Sequence, residues 1–407
     1  MHKVVIIGAG ASGLIAAAES AKKGNDVTVV EKMPRVGRKL MITGKGRCNV
    51  TNACFDLSDL ISNVPTNGNF LYSAFSSFMP YDTIALLEDM GVPTKIERGN
   101  RVFPVSDKAV DVVDALRKNA VDNGAKIVHD TAKAFTFDGS KIKSLILDGG
   151  EELFADSFAL CTGGKSYPAT GSTGDGYILA KSAGHHITPI KPSLVPLVCD
   201  NNFIPKLQGL SLKNVSISVL DGGKKVYGDF GEMLFTHFGV SGPIILSASA
   251  HIKDFDNKSY TLLIDLKPAL DEKTLDNRIL RDFSQNTNRD FINSLSGLLP
   301  HKIIPVIVSL SGIEPSQKVN MITKEQRKGF VEIIKKFKVN IVGARPVEEA
   351  IVTSGGVDVK EINPANMKSK IIENLYFAGE IIDVDAYTGG FNLQIAFSTG
   401  YLCGQNM

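Results

Sequence analysis

The sequence predicts an α/β protein whose first domain draws on both ends of the chain, with a β-rich and partly helical segment inserted between them. Three observations carry this. A β-branched run from Lys3 runs straight into a glycine turn at Gly8, a second apolar run, Leu375 to Ala378, does the same near the carboxy-terminus, and short alternating runs replace βα units between residues 190 and 345. The chain has 407 residues, 43% hydrophobic and 22% charged, which at roughly 150 residues per domain leaves room for two or three domains with their own cores. Its 45 Lys and Arg nearly balance 43 Asp and Glu. No broad cationic field is implied, so neither nucleic acid nor an anionic membrane is expected as a partner.

The first element is the run Lys-Val-Val-Ile-Ile-Gly at residues 3 to 8, suited to a strand buried on both faces. Gly8, Gly10 and Gly13 then spell G-x-G-x-x-G around Ala11 and Ser12, and Leu14, Ala17, Ala18 and Ala21 recur at helical spacing up to Gly24. A second apolar run, Val27 to Val30, ends on Glu31. The order strand, glycines, helix, strand, acid is the dinucleotide arrangement. Gly8 permits the tight turn, Gly10 lets backbone approach a pyrophosphate, Gly13 lets helix and strand pack, and the helix aims free N–H groups at the phosphates. Glu31 is placed to accept from a ribose diol and repels a 2′-phosphate. The same apolar stretch, Val4 to Ala18 behind Lys3, has the look of a secretory leader, but the glycine pattern outweighs it.

Residues 35 to 52, Arg-Val-Gly-Arg-Lys-Leu-Met-Ile-Thr-Gly-Lys-Gly-Arg-Cys-Asn-Val-Thr-Asn, form no regular helix or buried strand across Gly44 and Gly46. A loop with Arg38, Lys39, Lys45 and Arg47 beside a phosphate cradle reads as a ligand clamp, the plainer alternative being a solvated basic loop. The run G-R-K-L-x-x-T-G-x-G-R-C-N-x-T-N resembles the signature of the bacterial flavoprotein family that contains the YhiN and BaiN proteins. The resemblance extends to the carboxy-terminal segment and, more loosely, to the residues between. It implies a two-dinucleotide-binding-domain flavoprotein fold, a Rossmann-like FAD domain with an inserted β-barrel and a small helical domain. It also implies oxidoreductase activity of the aminoacetone-oxidase or 3-dehydro-bile-acid Δ4,6-reductase kind. By the same resemblance Lys32, Gly37, Arg38 and Lys39 lie along the nucleotide and pyrophosphate, and Thr43, Gly44, Cys48 and Asn49 near the flavin end.

Further along, a helix carrying Val110, Val113, Leu116 and Ala120 leads through Gly124 to a strand at Lys126 to Val128, and the resemblance then points to Ala132 as a backbone cover for the adenine. Ser157 to Gly164 is an apolar strand ending on Cys-Thr-Gly-Gly, which resembles the A-T-G turn of FAD-dependent proteins and by that resemblance puts Thr162 and Gly163 at the cofactor, a plain strand-to-loop exit being the alternative; Gly171, Gly174 and Gly176 precede a short helix. The first domain is expected over residues 1–190 and 345–407. A β-rich insert is expected over 191–270 and 312–344, from runs such as Val215 to Leu220 and Tyr260 to Leu266, and a helical insert over 271–311, from Leu275, Ile279 and Leu280 and then Phe291, Ile292 and Leu295. At the end, Leu375 to Phe377 leads to Gly379, Glu380 and Asp383, and Gly389, Gly390 and Asn392 open an apolar helix from Leu393. In flavoproteins of this build the acid binds ribityl or phosphate-side hydroxyls, and the positive helix end faces the flavin edge that gains negative charge on reduction.

The five cysteines, Cys48, Cys54, Cys161, Cys199 and Cys403, show neither C-x-x-C nor zinc spacing, and no apolar run reaches a membrane span of about 18 residues, so a reducing, cytoplasmic setting is expected. The seven histidines show no metal pattern. His237, in Phe-Thr-His-Phe-Gly-Val-Ser-Gly, and the turn residues Tyr167 and Tyr387 are the side chains that invite a role near a pocket, each with a packing role as the plainer alternative; no catalytic acid or base stands out. No second G-x-G-x-x-G exists for NAD(P)H. Three functions stay open: a reductase fed by transiently bound NAD(P)H and acting on a small molecule, an oxidase of a small amine such as aminoacetone, and a flavoprotein binding module of the kind associated with tRNA.

Overall fold

The computed structural model describes residues 1–252, 254–255 and 257–407. They form two units, Met1–Ser193 with Pro346–Met407, and Leu194–Arg345.

The first unit is built on a five-stranded sheet in the order Leu375–Phe377, Ser157–Leu160, Lys3–Ile7, Asp26–Val30, Lys126–Val128, with all four pairings parallel. Parallel strands covered on both faces need apolar side chains throughout, and Val4 to Ile7 and Ser157 to Leu160 are buried without interruption. The helix Ala11–Lys22 packs against the carboxy-terminal helix Phe391–Asn406, and small residues set how closely they approach. A Cβ on Gly400 would lie 2.5 Å from the Ser12 carbonyl oxygen, and one on Gly404 would lie 2.6 Å from that of Ala16. These glycines, four residues apart, form one bare strip of the last helix. Gln405 fixes the far end by donating from Nε2 to Glu19 Oε2 at 2.7 Å.

Three small antiparallel sheets accompany this core: Ala132–Asp138, Lys141–Leu147 and Glu152–Phe154 form one, Thr51–Asn52, Arg101–Pro104 and Thr94–Glu97 another, and Lys191–Ser193 with Val352–Ser354 the third. The helix expected around Leu116 spans Ala109–Asp122 and buries Val112, Val113, Leu116 and Ala120; Val110, expected on that face, is only half-buried.

The second unit contains a closed six-stranded barrel, in the order Leu197–Cys199, Gly239–Ser241, Lys224–Phe235, Ser211–Asp221, Tyr260–Asp265, Phe337–Ala344. Alternate positions of Tyr260–Asp265 and Ser211–Asp221 are buried, the period-two signature that predicted them. Its helices follow local chemistry. Asp271 caps Glu272–Ser284 by accepting from the Thr274 amide at 2.6 Å, and Thr323 and Gln326 form a reciprocal capping box on Lys324–Lys335. Two expectations need correction here. Leu280, read as core, is 42% exposed, because Leu275, Ile279 and Phe283 already form the buried stripe. Lys324–Lys335 is a helix inside a stretch read as β-rich, its Phe330, Val331 and Ile334 buried at helical spacing.

Alanine normally stabilises a helix interior by about 1 kcal/mol over glycine. Gly400→Ala should do the reverse and destabilise by about 1–3 kcal/mol, since the added carbon meets backbone that cannot yield. Urea denaturation measures the sign, and a stabilised variant would show that the two helices separate freely.

Candidate functional site

Both glycine turns of the first unit lie at the carboxyl ends of the parallel strands. Gly8 has φ 101°, and a Cβ there would sit 2.6 Å from the Cys161 carbonyl oxygen; a Cβ on Gly13 would lie 1.9 Å from the Gly8 oxygen. Only glycine lets this turn close on itself. Gly10, the N-cap of Ala11–Lys22, differs: a Cβ on it would meet nothing within 4 Å. The first amides of that helix, from Ala11 and Ser12 onward, have no acceptor inside the helix and carry its partial positive charge into this open space.

Glu31 closes one side. Its carboxylate accepts from the Ala9 and Met33 amides, both at 2.8 Å, which leaves each oxygen a further lone pair for a hydroxyl. The Glu31 amide donates to Val128 at 2.9 Å, four residues before Ala132, which opens the Ala132–Asp138 strand. Lys32 is ion-paired with Asp175. The Gly37 amide donates to Ala9 at 2.9 Å, which lays residues 37 to 39 against the glycine turn. Arg38 is half-buried there and, among the described residues, has no hydrogen-bond or ion-pair partner. A planar cation with five donors beside a helix N-terminus suits an anionic ligand.

Lys39 donates to Ser166 Oγ and to Glu380 Oε2, both at 2.6 Å, and Glu380 Oε1 accepts from the Thr353 amide at 2.8 Å and from Ser166 at 3.3 Å. The network spans Gly163, which has φ 71°, and Gly164, whose absent Cβ would lie 3.1 Å from Glu380 Oε1. Asn67 Nδ2 donates to the Asp383 carbonyl at 2.7 Å and approaches its carboxylate at 3.3 Å. In the clamp loop, Thr43 Oγ1 donates to Leu40 at 2.7 Å, Gly44 has φ 57°, and the Cys48 amide, at φ 62°, donates to Thr43 at 3.0 Å. Burial pushes the Cys48 and Cys161 thiols up to about 12, so neither offers a thiolate. Among the described residues Asn49 Oδ1 and Thr162 Oγ1 are buried without a partner, the condition that a ligand or water relieves.

Two glycines of the carboxy-terminal turns press directly on the amino-terminal segment. A Cβ on Gly379 would sit 2.5 Å from Ser12 Oγ, and one on Gly390 would sit 2.3 Å from the Thr51 carbonyl oxygen; both glycines have positive φ. Asn392 folds the preceding strap back on itself, accepting from the Ala386 amide at 2.9 Å and donating to the Ala386 and Tyr387 carbonyls at 2.8 and 3.2 Å; Leu393 follows, half-buried. Sequence reasoning missed three partners. Ser166 and Thr353 carry no pattern that would announce them, and Asn52, which holds the Gly389 carbonyl at 3.0 Å, was visible only as a member of the clamp-loop run. Tyr167 adopts φ 52° in its turn, and His237 lies exposed in the second unit with its ring 5.0 Å from that of Phe238.

Open space at Gly10, an Arg38 unpaired among the described residues and orphaned acceptors in the loop and at Thr162 fit a dinucleotide with a polar ring system. Fold and site define the class: a Rossmann-type, FAD-dependent oxidoreductase. Residues 2–406 match the family described as HI0933-like protein Rossmann domain, and the chain belongs to that family. It is 30% identical to the 3-dehydro-bile acid delta(4,6)-reductase of Clostridium scindens, covering 100% of this chain and 98% of the other. It is 31% identical to the ribosomal RNA dihydrouridine synthase of Haemophilus influenzae, covering 98% and 96%. Among solved structures, the 3-ketosteroid-delta4-(5alpha)-dehydrogenase of Rhodococcus jostii RHA1 shares the fold with a TM-score of 0.54 at 14% identity, covering 100% of this chain and 96% of that one.

Cys54 is the partly exposed thiol of this region, whereas Cys48, Cys161 and Cys403 are buried. At pH 8 a thiol with its pKa near 12 is ionised to roughly one part in ten thousand. A disulfide reagent should therefore label Cys54 first, and Cys48 only after denaturation, as peptide mass spectrometry will report. Equal labelling of the two would show that the clamp loop opens.

Proposed function

We propose that this protein reduces a carbon–carbon double bond conjugated with a carbonyl, using FAD held by the first unit and electrons drawn from NAD(P)H that binds transiently. What carries this is a shared chemistry. A 3-oxo steroid with a 4,6-diene and the uracil ring both hold a C=C in conjugation with C=O, and full-length relatives are named for saturating each. Bound FAD would supply the hydride, from N5 of its reduced ring, and water the proton that completes the saturation.

The protein's own residues then bind and orient. Gly8, Gly10, Ala11, Ser12 and Gly13 present the turn and helix amides to the pyrophosphate, with Arg38 as counter-charge and Gly37 shaping the approach. Glu31 takes the ribose diol beside Lys32, and Ala132 covers the adenine. Thr162, Gly163, Gly379, Glu380 and Asp383 line the ribityl path, where Lys39 offsets the charge that Glu380 would otherwise set against a phosphate. Thr43, Gly44, Cys48 and Asn49 approach the ring, and Gly390, Asn392 and Leu393 bring the second helix N-terminus to its pyrimidine edge. With five free cysteines and no described helix long and apolar enough to cross a membrane, the setting we propose is the cytoplasm.

A macromolecular carrier of the reducible ring is the second reading, favoured by charge. Residues 194–345 hold 20 Lys and Arg against 15 Asp and Glu, whereas the remaining residues hold 25 against 28. The whole-chain balance conceals this excess, which suits RNA.

Anaerobic stopped-flow mixing tests the reading. NADH or NADPH should bleach the flavin, and a steroid dienone or a uridine-containing ribosomal RNA fragment should restore its colour. Bleaching by aminoacetone with peroxide formed on admitting oxygen, and none by either nicotinamide, would make the protein an amine oxidase. In the same preparation Arg38→Gln should weaken FAD by roughly ten- to a hundredfold, the loss of one charge-assisted contact, without lowering the melting temperature of the FAD-free protein.

A further inference from the structure

One buried carboxamide joins the signature at the amino-terminal end to the helix at the carboxy-terminal end. Gln394 lies in the first turn of Phe391–Asn406 and is fully buried. Its Oε1 accepts from Thr51 Oγ1 at 2.6 Å and Thr83 Oγ1 at 2.8 Å, and its Nε2 donates to the Phe78 carbonyl at 3.0 Å and to Ser398 Oγ at 2.9 Å. Ser398 in turn donates to Phe78 at 2.6 Å. Two bonds accepted and two donated exhaust what a side-chain amide offers. Thr51 is also the residue whose backbone presses on Gly390, and it follows Cys48 and Asn49 by three and two positions.

We propose that Gln394 is a positioning residue for the flavin. By tying the helix to Thr51, Thr83 and Phe78 at once, it fixes the direction of the first turn relative to Asn49–Asn52. It thereby sets how strongly that turn's free amides favour reduced over oxidised flavin. The inference rests on the reading that this helix end faces the flavin. Apolar packing alone does not hold such an angle. A leucine of similar size at position 394 would keep the volume but leave the Thr51 and Thr83 hydroxyls buried without their acceptor.

The test is the two-electron midpoint potential of full-length, FAD-loaded protein. Gln394→Leu should lower it, with about a tenfold loss of preference for reduced flavin, or roughly 30 mV. Thr83→Val, which removes one of the four bonds, should shift it less in the same direction and serves if Gln394→Leu fails to fold. Phe397→Leu, an apolar change on the same helix, should lower the melting temperature but leave the potential in place. Asn392→Ala disturbs the first turn directly. A potential moved by Asn392→Ala but by neither Gln394→Leu nor Thr83→Val overturns the inference and leaves the orientation of the helix standing. An equal shift from Phe397→Leu overturns it as a general packing effect. If none of the four variants moves the potential, the helix end does not face the flavin, and inference and reading fail together.

Discussion

Close approach around Ser12 and the glycine turn beside it is the constraint on which the first unit depends. The strand exit at Gly379 and the last helix at Gly400 both crowd Ser12, and next to it Gly8 closes on Cys161 and Gly13 on Gly8, each at a distance that excludes a Cβ. The parallel sheet alone leaves its strand ends open. It is the lack of side chains at these positions that lets a segment from residue 379 onward lie against one from residues 8 to 13, so that two helix N-termini open on the same side of one sheet. Ser12 then uses its hydroxyl on Ala378 at 3.3 Å, so the crowded residue also ties the strands' ends together.

Charge follows from that geometry. Two helix ends bring partial positive charge to one edge, and the surrounding carboxylates are held in ways that do not oppose it. Glu31 is occupied by backbone amides, Glu380 by Lys39, and Asp175 by Lys32, while Arg38 stands without a partner among the described residues. Pairing the acids inside the protein and leaving one guanidinium unspent gives a region disposed toward an anion even in a chain of formal charge +2. The same pairing explains why the composition was a poor guide: net charge counts every carboxylate, whereas a ligand meets only those left uncompensated.

The sheet and the glycine turns were legible because each leaves a local trace. A strand buried on both faces favours an unbroken apolar run, and a turn in the left-handed region favours glycine, so Val4 to Ile7 and Gly8 could be read without knowing their neighbours. The alternation that announced the barrel is equally local. Leu280 misled because periodicity names a stripe two residues wide, and the partner surface decides which edge of it is covered. Lys324–Lys335 was missed although its capping box, Thr323 to Gln326, lay in plain view. Ser166 and Thr353 were beyond reach: they matter through Glu380, which is 214 and 27 residues away along the chain, and no spacing rule links such positions.

The carboxy-terminal helix shows why a buried element carries polar groups at all. Ten of its 16 residues are buried, so apolar burial holds it in place, and Gly400 and Gly404 limit which turns can face Ser12 and Ala16. Directional bonds then fix its register. Thr399 Oγ1 accepts from the Gly379 amide at 2.9 Å, Ser398 reaches Phe78, and Gln394 reaches Thr51, Thr83 and Phe78. A displacement that broke this set would strand several groups at about 1–3 kcal/mol each, more than the packing term could recover. The bare strip at Gly400 and Gly404 permits the close approach, and the polar residues one and two positions before Gly400 choose which close approach is made. That division of labour ties the angle of the helix to the segment that precedes it in space, Thr51 and Asn52, and not to its neighbours in sequence.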